Sequence, residues 1–221
     1  MIYFKKDYLQ FFKELAANNH KKWFDENRKR YEATVREPFK LFVKDVITEV
    51  QKIDSEVQVE TKDAIFRINR DIRFSKDKTP YKLFNSAIIS KTGRKDKSYP
   101  GMYLELNPER LAVFGGIYNP DKEQVNKIRN HIATHIDYFE RLLNSPIFLE
   151  SFGAVKGNKN KRIPKEFQEI AQKQPLLYNK QWYYESSFPP KTILQDNLLE
   201  IVMEQYKIAR PLQKFIIEAL R

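Results

Sequence analysis

The spacing of apolar residues changes twice along this chain, and the change limits the folds open to it. In the first quarter, apolar residues recur every three or four positions, as on one face of a helix, for example at Phe4, Tyr8, Phe11 and Leu15. The middle of the chain alternates apolar and polar residues, which is typical of strands. Helical spacing returns after Asn119-Pro120. The sequence therefore predicts an α+β fold, with a mostly antiparallel central sheet flanked by N-terminal and C-terminal helices.

The alternating region predicts several strands and one tight turn. The predicted strands are Val57–Glu60, Phe66–Phe74, a run within Tyr81–Ser90, Met102–Leu106, Leu111–Phe114 and a short one at Trp182–Tyr184. Asn107-Pro-Glu-Arg110 has the composition of a hairpin turn. Gly115-Gly116 follows on the second strand of that hairpin, where glycine permits a bulge or a close backbone approach.

Composition indicates one folded domain and excludes some chemistry. The chain has 221 residues, 41% of them hydrophobic, and shows no repeat and no low-complexity linker, so we expect a single domain over residues 1–221. It contains no cysteine, which excludes thiolate catalysis, iron–sulfur clusters and cysteine zinc sites. No long apolar run and no signal-peptide pattern is present, so we expect a cytoplasmic protein without a membrane partner.

Positive charge is concentrated in two segments. The formal net charge is +11. The segment Arg67–Lys97 holds ten basic residues against three acidic ones, and Lys156–Lys165 holds five basic residues and no acidic one. A surplus of this kind favours anionic partners, either phosphate-bearing small molecules or nucleic acid.

The first basic segment is the strongest candidate for a ligand site. Arginine offers planar paired donors and lysine a point charge, so we expect an anion to be bound by a set of five side chains: Arg67, Arg70, Arg73, Lys78 and Lys82. The candidates for an acid–base or hydroxyl role are Asp71, Asp77 and Tyr81. In a regular strand Arg70 would face away from Arg67 and Arg73, so a shared site requires a bulge or a sheet edge.

The same residues resemble a known family signature. The pattern Arg67-x-x-Arg70-Asp71-x-Arg73-Phe74, followed by Asp77-Lys78-x-x-Tyr81, is similar to that of a bacterial family of conserved hypothetical proteins, catalogued as domain of unknown function 2461. Asn18-Asn19-x-x-x-Trp23-Phe24 and Gly115-Gly116 also fit the pattern. The resemblance implies that the charged residues act as one constellation. It carries no established activity with it.

Other interpretations stay open at this stage. The constellation is also compatible with an internal ion-pair network that only holds the fold. Nucleic acid is a second partner class, which loop lysines would bind weakly and without sequence preference, with Trp23, Trp182, Tyr183 and Tyr184 as stacking candidates. His131 and His135 are four residues apart on a predicted helix, but no third ligand is evident, so we expect no metal. Phosphate-loop and dinucleotide motifs are absent, and we expect no cofactor.

Overall fold

A four-stranded antiparallel sheet lies at the centre of the computed structural model, which describes residues 1–221. The strands lie side by side in chain order: β1 (Asn85–Ile89), β2 (Met102–Leu106), β3 (Leu111–Ile117) and β4 (Trp182–Phe188). β2 and β3 form the predicted hairpin, with Leu106 opposite Leu111. Helices occupy both ends of the chain, so the α+β prediction is confirmed.

The N-terminal helices form as the apolar spacing predicts. They are α1 (Lys6–Ala17), α2 (Lys21–Glu26), α3 (Arg28–Tyr31), α4 (Glu37–Ile53) and α5 (Thr61–Ala64), with a π-helical turn over Glu32–Arg36. Pro38 lies in the first turn of α4, directly after the π-helical turn from which α4 continues. Phe11, Phe42 and Val46 are completely buried on the apolar faces of α1 and α4.

A helical insertion separates β3 from β4 in the chain although the two strands pair in the sheet. Its helices are α6 (Lys122–Thr134), α7 (Ile136–Leu143), α8 (Pro146–Phe152), α9 (Lys165–Gln168) and α10 (Ile170–Lys173), followed by a 3-10 turn at Pro175–Tyr178. Two further 3-10 turns lie outside the insertion, at Gly93–Lys95 before β2 and at Pro190–Leu194 after β4. Asp121 caps α6 in a reciprocal capping box with Gln124. The long final helix α11 (Leu198–Ala219) continues through Pro211.

Alternate residues of the strands point to opposite faces of the sheet, and only one face is covered by helices. Leu104, Val113 and Tyr184 lie on the covered face, where β3 packs against α11 and β1 against α4. All three side chains are buried. We call the opposite side, which carries Tyr103, Phe114 and Tyr183, the open face.

Two of the predicted strands do not form. Residues 57–60 have no regular structure and lead into α5, and residues 66–74 pair only through isolated bridges, Ile65 with Ala87 and Asn69 with Tyr81. Residues 65–69 lie antiparallel to residues 81–87, and the chain reverses direction between Asn69 and Tyr81, so the end of the predicted strand has no partner. Phe74 is consequently 95% exposed.

Candidate functional site

The family-like signature folds as a loop anchored to the N-terminal helices. We call residues 67–81 the motif loop. Its two ends are held together where Arg70 N donates to Pro80 O and Lys82 N donates to Ile68 O, both at 2.8 Å. The ring of Tyr81 stacks on Phe24 with a centroid separation of 4.0 Å. The loop therefore has a fixed, buried base and an exposed tip.

Inside the motif loop, arginines and aspartates pair with each other. Arg73 forms a two-pronged contact with Asp71, Nε to Oδ1 at 2.9 Å and Nη2 to Oδ2 at 2.7 Å. Arg70 Nη1 forms a short contact with Asp77 and also donates to Thr79 O at 3.1 Å. The hydrogen bonds from Arg73 lower the pKa of Asp71 to about 2. The backbone N–H of Thr79, followed by Arg70, lowers the pKa of Asp77 to about 2.

The predicted site residues are consequently distributed over different environments. Arg70 and Asp77 form one pair and Arg73 and Asp71 another, and no hydrogen bond or salt bridge joins the two pairs. Lys78 donates to the carbonyl of Ile72 at 3.0 Å. Tyr81 is buried in the N-terminal core, away from solvent. Of the predicted ligand-binding residues, Arg67 and Lys82 alone make no salt bridge and no side-chain hydrogen bond to protein, which leaves both cations available.

Lys82 lies at a cavity on the open face of the sheet. The cavity has a volume of about 490 Å³ and is bordered by the chain before β1, the loop before β2 and the residue after β3. Its aromatic lining comes from Phe66, Phe84, Tyr99, Tyr103, Phe114, Tyr118 and Tyr183. The main concave feature of the open face is therefore a cavity with aromatic walls.

The aromatic side chains form two edge-to-face groups with glycine between them. Tyr103 lies 6.0 Å from Phe66 and 5.6 Å from Phe114, and Tyr183 lies 5.4 Å from Tyr118, measured between ring centroids. Gly116 pairs with Tyr183 at a φ of +95°, and a Cβ there would lie 2.1 Å from the carbonyl oxygen of Trp182. The glycine pair therefore lets the backbones of β3 and β4 approach closely without interrupting their pairing. The backbone itself lines this part of the cavity.

Two lysines without carboxylate partners face the aromatic lining. Lys82 Nζ lies 5.4 Å and Lys97 Nζ lies 5.3 Å from the centroid of the Phe66 ring. Neither side chain forms a salt bridge or donates a hydrogen bond to the protein. Burial lowers the pKa of Lys82, and the positive charges of Lys97 and Arg67 lower it further, with Glu105 acting in the opposite direction. This end of the cavity is therefore electropositive.

The carboxylates of the open face are already neutralised in part. Glu185, on β4, accepts a short hydrogen bond from Arg110 and a second from Lys156 Nζ at 3.1 Å. Glu105, on β2, lies 3.9 Å from Arg110 and accepts a hydrogen bond from Asn107 at 3.2 Å. Burial is the main cause of the raised pKa of Glu105. The open face thus carries two unpaired lysines at the cavity, while Arg110, Lys156 and Asn107 compensate its carboxylates.

The second basic segment borders the same face at the opposite edge of the sheet. Lys156 pairs with Tyr183 along the outer edge of β4, with N···O distances of 2.7 and 3.1 Å between their backbones. Lys159 forms a further bridge with Asn179. Both basic segments of the sequence therefore flank the open face.

Several residues that contribute to the cavity were not among the predicted site residues. Phe66, Tyr103, Phe114 and Lys97 occupy it beside Lys82. One signal in the sequence could have identified them. Tyr103 and Phe114 are aromatic at strand positions where a solvated face would carry polar side chains. Of the predicted stacking candidates, Tyr183 faces the cavity, whereas Trp182 and Tyr184 are buried and Trp23 packs on the N-terminal core.

Other chemistry-bearing residues lie elsewhere. His131 and His135 stack at the end of α6, with ring centroids 4.6 Å apart, and His131 also packs on Phe215. No group of three or more His, Asp or Glu side chains is arranged to hold a metal ion. None of the helices has both the length and the apolar character needed to cross a bilayer.

Comparison with known proteins identifies the family. No curated protein matches the chain. A family model described as conserved hypothetical protein (DUF2461) matches residues 7–215, which include the N-terminal helices, the motif loop, the whole sheet and most of α11. The chain therefore belongs to this family of conserved hypothetical proteins.

Proposed function

We propose that this protein binds an anionic ligand, with phosphate as the leading anionic group, in the cavity on the open face of the sheet. The observation that carries the proposal is the placement of Lys82 and Lys97, two lysines without protein partners, over an aromatic wall of that cavity. The 490 Å³ volume falls within the roughly 300–1,000 Å³ of small-molecule sites. The aromatic lining favours a ligand that also carries a planar ring, such as a nucleotide.

This proposal divides the charged residues of the signature into two roles. Lys82 and Arg67 contribute to the site, because neither forms a salt bridge. They belong to one cationic group with Lys97, since the charges of Arg67 and Lys97 lower the pKa of Lys82. Arg70 and Arg73 shape the motif loop through their aspartate partners. Asp71 and Asp77 accept those contacts and keep the loop folded around its buried base.

A thermal-shift titration tests the proposal. Phosphorylated metabolites and nucleotides are added at increasing concentration, because a ligand that binds only the folded state stabilises it by about 2.7 kcal/mol at one hundred times its Kd. We expect the shift to be lost in the double variant K82A/K97A. The matched control is K76A/K161A, which removes two exposed lysines that form no salt bridge and lie outside the cavity.

The outcome of the matched pair decides the location of the site. Loss of the shift in both double variants would show that general surface charge, rather than the cavity, attracts the ligand. Persistence of the full shift in K82A/K97A would exclude the cavity lysines as the anion-binding groups. A charge-assisted hydrogen bond contributes about 1.5–3 kcal/mol, so removing two should weaken binding at least about a hundredfold.

The second candidate function is binding of single-stranded nucleic acid. The observation that favours it is the position of the Lys156–Lys165 segment along β4, which places basic residues on both edges of an aromatic sheet face. Such binding would be weak and independent of sequence, because loop lysines contact phosphates rather than bases. Titrations of an oligonucleotide at rising salt separate the two candidates, since contacts to many phosphates weaken steeply with salt and a single phosphate pocket does so mildly.

A further inference from the structure

Lys82 differs from the other lysines of the open face in having buried, aromatic and cationic neighbours. We infer that Lys82 is a nucleophilic amine that forms an imine with a carbonyl-bearing anion held in the cavity. The inference rests on the proposed function, because the anion must first bind beside Lys97 and Arg67. It adds an activity to that site, namely reversible covalent capture of an aldehyde or ketone.

The surroundings of Lys82 shift its protonation equilibrium toward the neutral amine, relative to an exposed lysine. Its side chain is half-buried, and its ammonium nitrogen lies 5.4 Å and 5.7 Å from the ring centroids of Phe66 and Phe84. The groups that face it are Lys97 and Arg67, which disfavour a further positive charge, and Glu105, which favours one. Burial and the two cations prevail over Glu105, so the pKa of Lys82 is lowered. Desolvation and a neighbouring cation are the two conditions that activate a lysine as a nucleophile.

A contrast with Lys156 shows that this environment is particular to Lys82. Lys156 borders the same face but forms a salt bridge with Glu185 at 3.1 Å. Lys97 shares the Phe66 ring with Lys82 but is exposed to water. Lys82 alone combines partial burial, two neighbouring cations and the absence of a salt bridge.

The proposed reaction is a condensation that needs no further reagent. The lone pair of the neutral Nζ attacks the carbonyl carbon and forms the new C–N bond. The carbonyl oxygen then departs as water with the two protons that leave the amine nitrogen, so that a C=N bond replaces C=O.

Pyridoxal 5′-phosphate is a suitable probe, because it combines a planar ring, a phosphate and an aldehyde. The folded protein is incubated with it near neutral pH, reduced with borohydride, digested and mapped by mass spectrometry. We expect Lys82 to be labelled faster than Lys76 and Lys161 in the same digest, because burial and its cationic neighbours leave more of its amine neutral. Inorganic phosphate should protect Lys82 and leave the two control lysines unaffected.

Pyridoxine 5′-phosphate, which has the ring and phosphate but no aldehyde, distinguishes the two proposals. A thermal shift with this compound, together with uniform labelling of all exposed lysines by the aldehyde, would overturn the imine inference and leave anion binding standing. Absence of the shift and of selective labelling would overturn both. Because labelling is mapped on the unaltered chain, the result does not depend on the folding of a variant.

Discussion

Tyr183 and Tyr184 are neighbours on β4 and lie on opposite faces of the sheet. Tyr184 is fully buried on the covered face, with its ring 5.2 Å from Phe148 and 5.0 Å from Phe152 and its hydroxyl donating to Ala209 O at 3.3 Å. Tyr183 is half-buried on the open face and lines the cavity. The same residue type therefore belongs to the core in one case and to the candidate site in the other.

The difference between the two faces shows how a single sheet separates stability from recognition. On the covered face, apolar side chains exclude water and stabilise the fold in proportion to the area they bury. On the open face, aromatic rings and unpaired lysines remain accessible, and no helix packs on them. A change on the first face should therefore act on unfolding, and a change on the second on ligand binding.

The largest expected effect separates the two tyrosines. Y184A should lower the free energy of unfolding by about 3–5 kcal/mol, because it empties a completely buried aromatic position. Y183A should cost about 1 kcal/mol, since its ring is already partly in water, and should weaken ligand binding. Urea unfolding followed by circular dichroism measures both. Equal losses of stability would show that the open face also belongs to the core.

A smaller effect is expected from the two arginines of the motif loop. R70A removes hydrogen bonds to Thr79 at the folded part of the loop and should cost about 1 kcal/mol of stability. R73A removes an arginine whose side chain is 76% exposed, and should leave the urea midpoint unchanged. If R73A instead abolished a ligand-induced thermal shift, the motif loop would belong to the binding site together with the cavity.

The pH dependence should differ between the motif loop and the cavity. Asp77 has a folded pKa of about 2, below its ordinary value of 3.8, so its contribution to stability is present above pH 4 and is lost as the pH falls toward 2. Lys82 has a lowered pKa, so anion binding should weaken as the pH rises through a value below the ordinary 10.5. Thermal shifts from pH 2 to 10, with and without ligand, test both. Ligand binding that is constant up to pH 10 would contradict the role given to Lys82.

The smallest effect is expected at the tip of the motif loop. Phe74 is 95% exposed and contacts only the guanidinium of Arg73, at 5.9 Å from the ring centroid. F74S should therefore change neither stability nor the affinity of a small ligand. A measurable loss of affinity in a titration of F74S would show that the tip of the loop reaches the bound ligand.

The sequence predicts elements well where local spacing and capping decide them. The β2–β3 hairpin and the helix beginning after Asn119-Pro120 form at the predicted places. The strand predicted at Phe66–Phe74 was wrong, because only its first residues lie beside another segment, through isolated bridges, and the chain reverses direction after Asn69. Lys97 could not be predicted as a neighbour of Lys82, because their proximity depends on how the loop before β2 crosses the open face.

The signature is dense in charge, but two of its arginines are already paired with aspartates of the same loop. A cation is available to a ligand only if no internal carboxylate already neutralises it. Sequence shows that Asp71 and Asp77 are near several arginines but not which arginine each one contacts. The pairing leaves Arg67 and Lys82 free of salt bridges, and that selection depends on the geometry of the loop.

The helical insertion between β3 and β4 has a kinetic consequence. The β1–β3 part of the sheet is local in sequence, whereas β4 pairs with β3 only after residues 118–181 have been brought round, which carries a larger entropic cost of loop closure. Tyr183 and Glu185 therefore join the cavity late in folding. A ligand of this cavity would then act mainly on the rate of unfolding, so it should lengthen the lifetime of the folded protein without accelerating its formation.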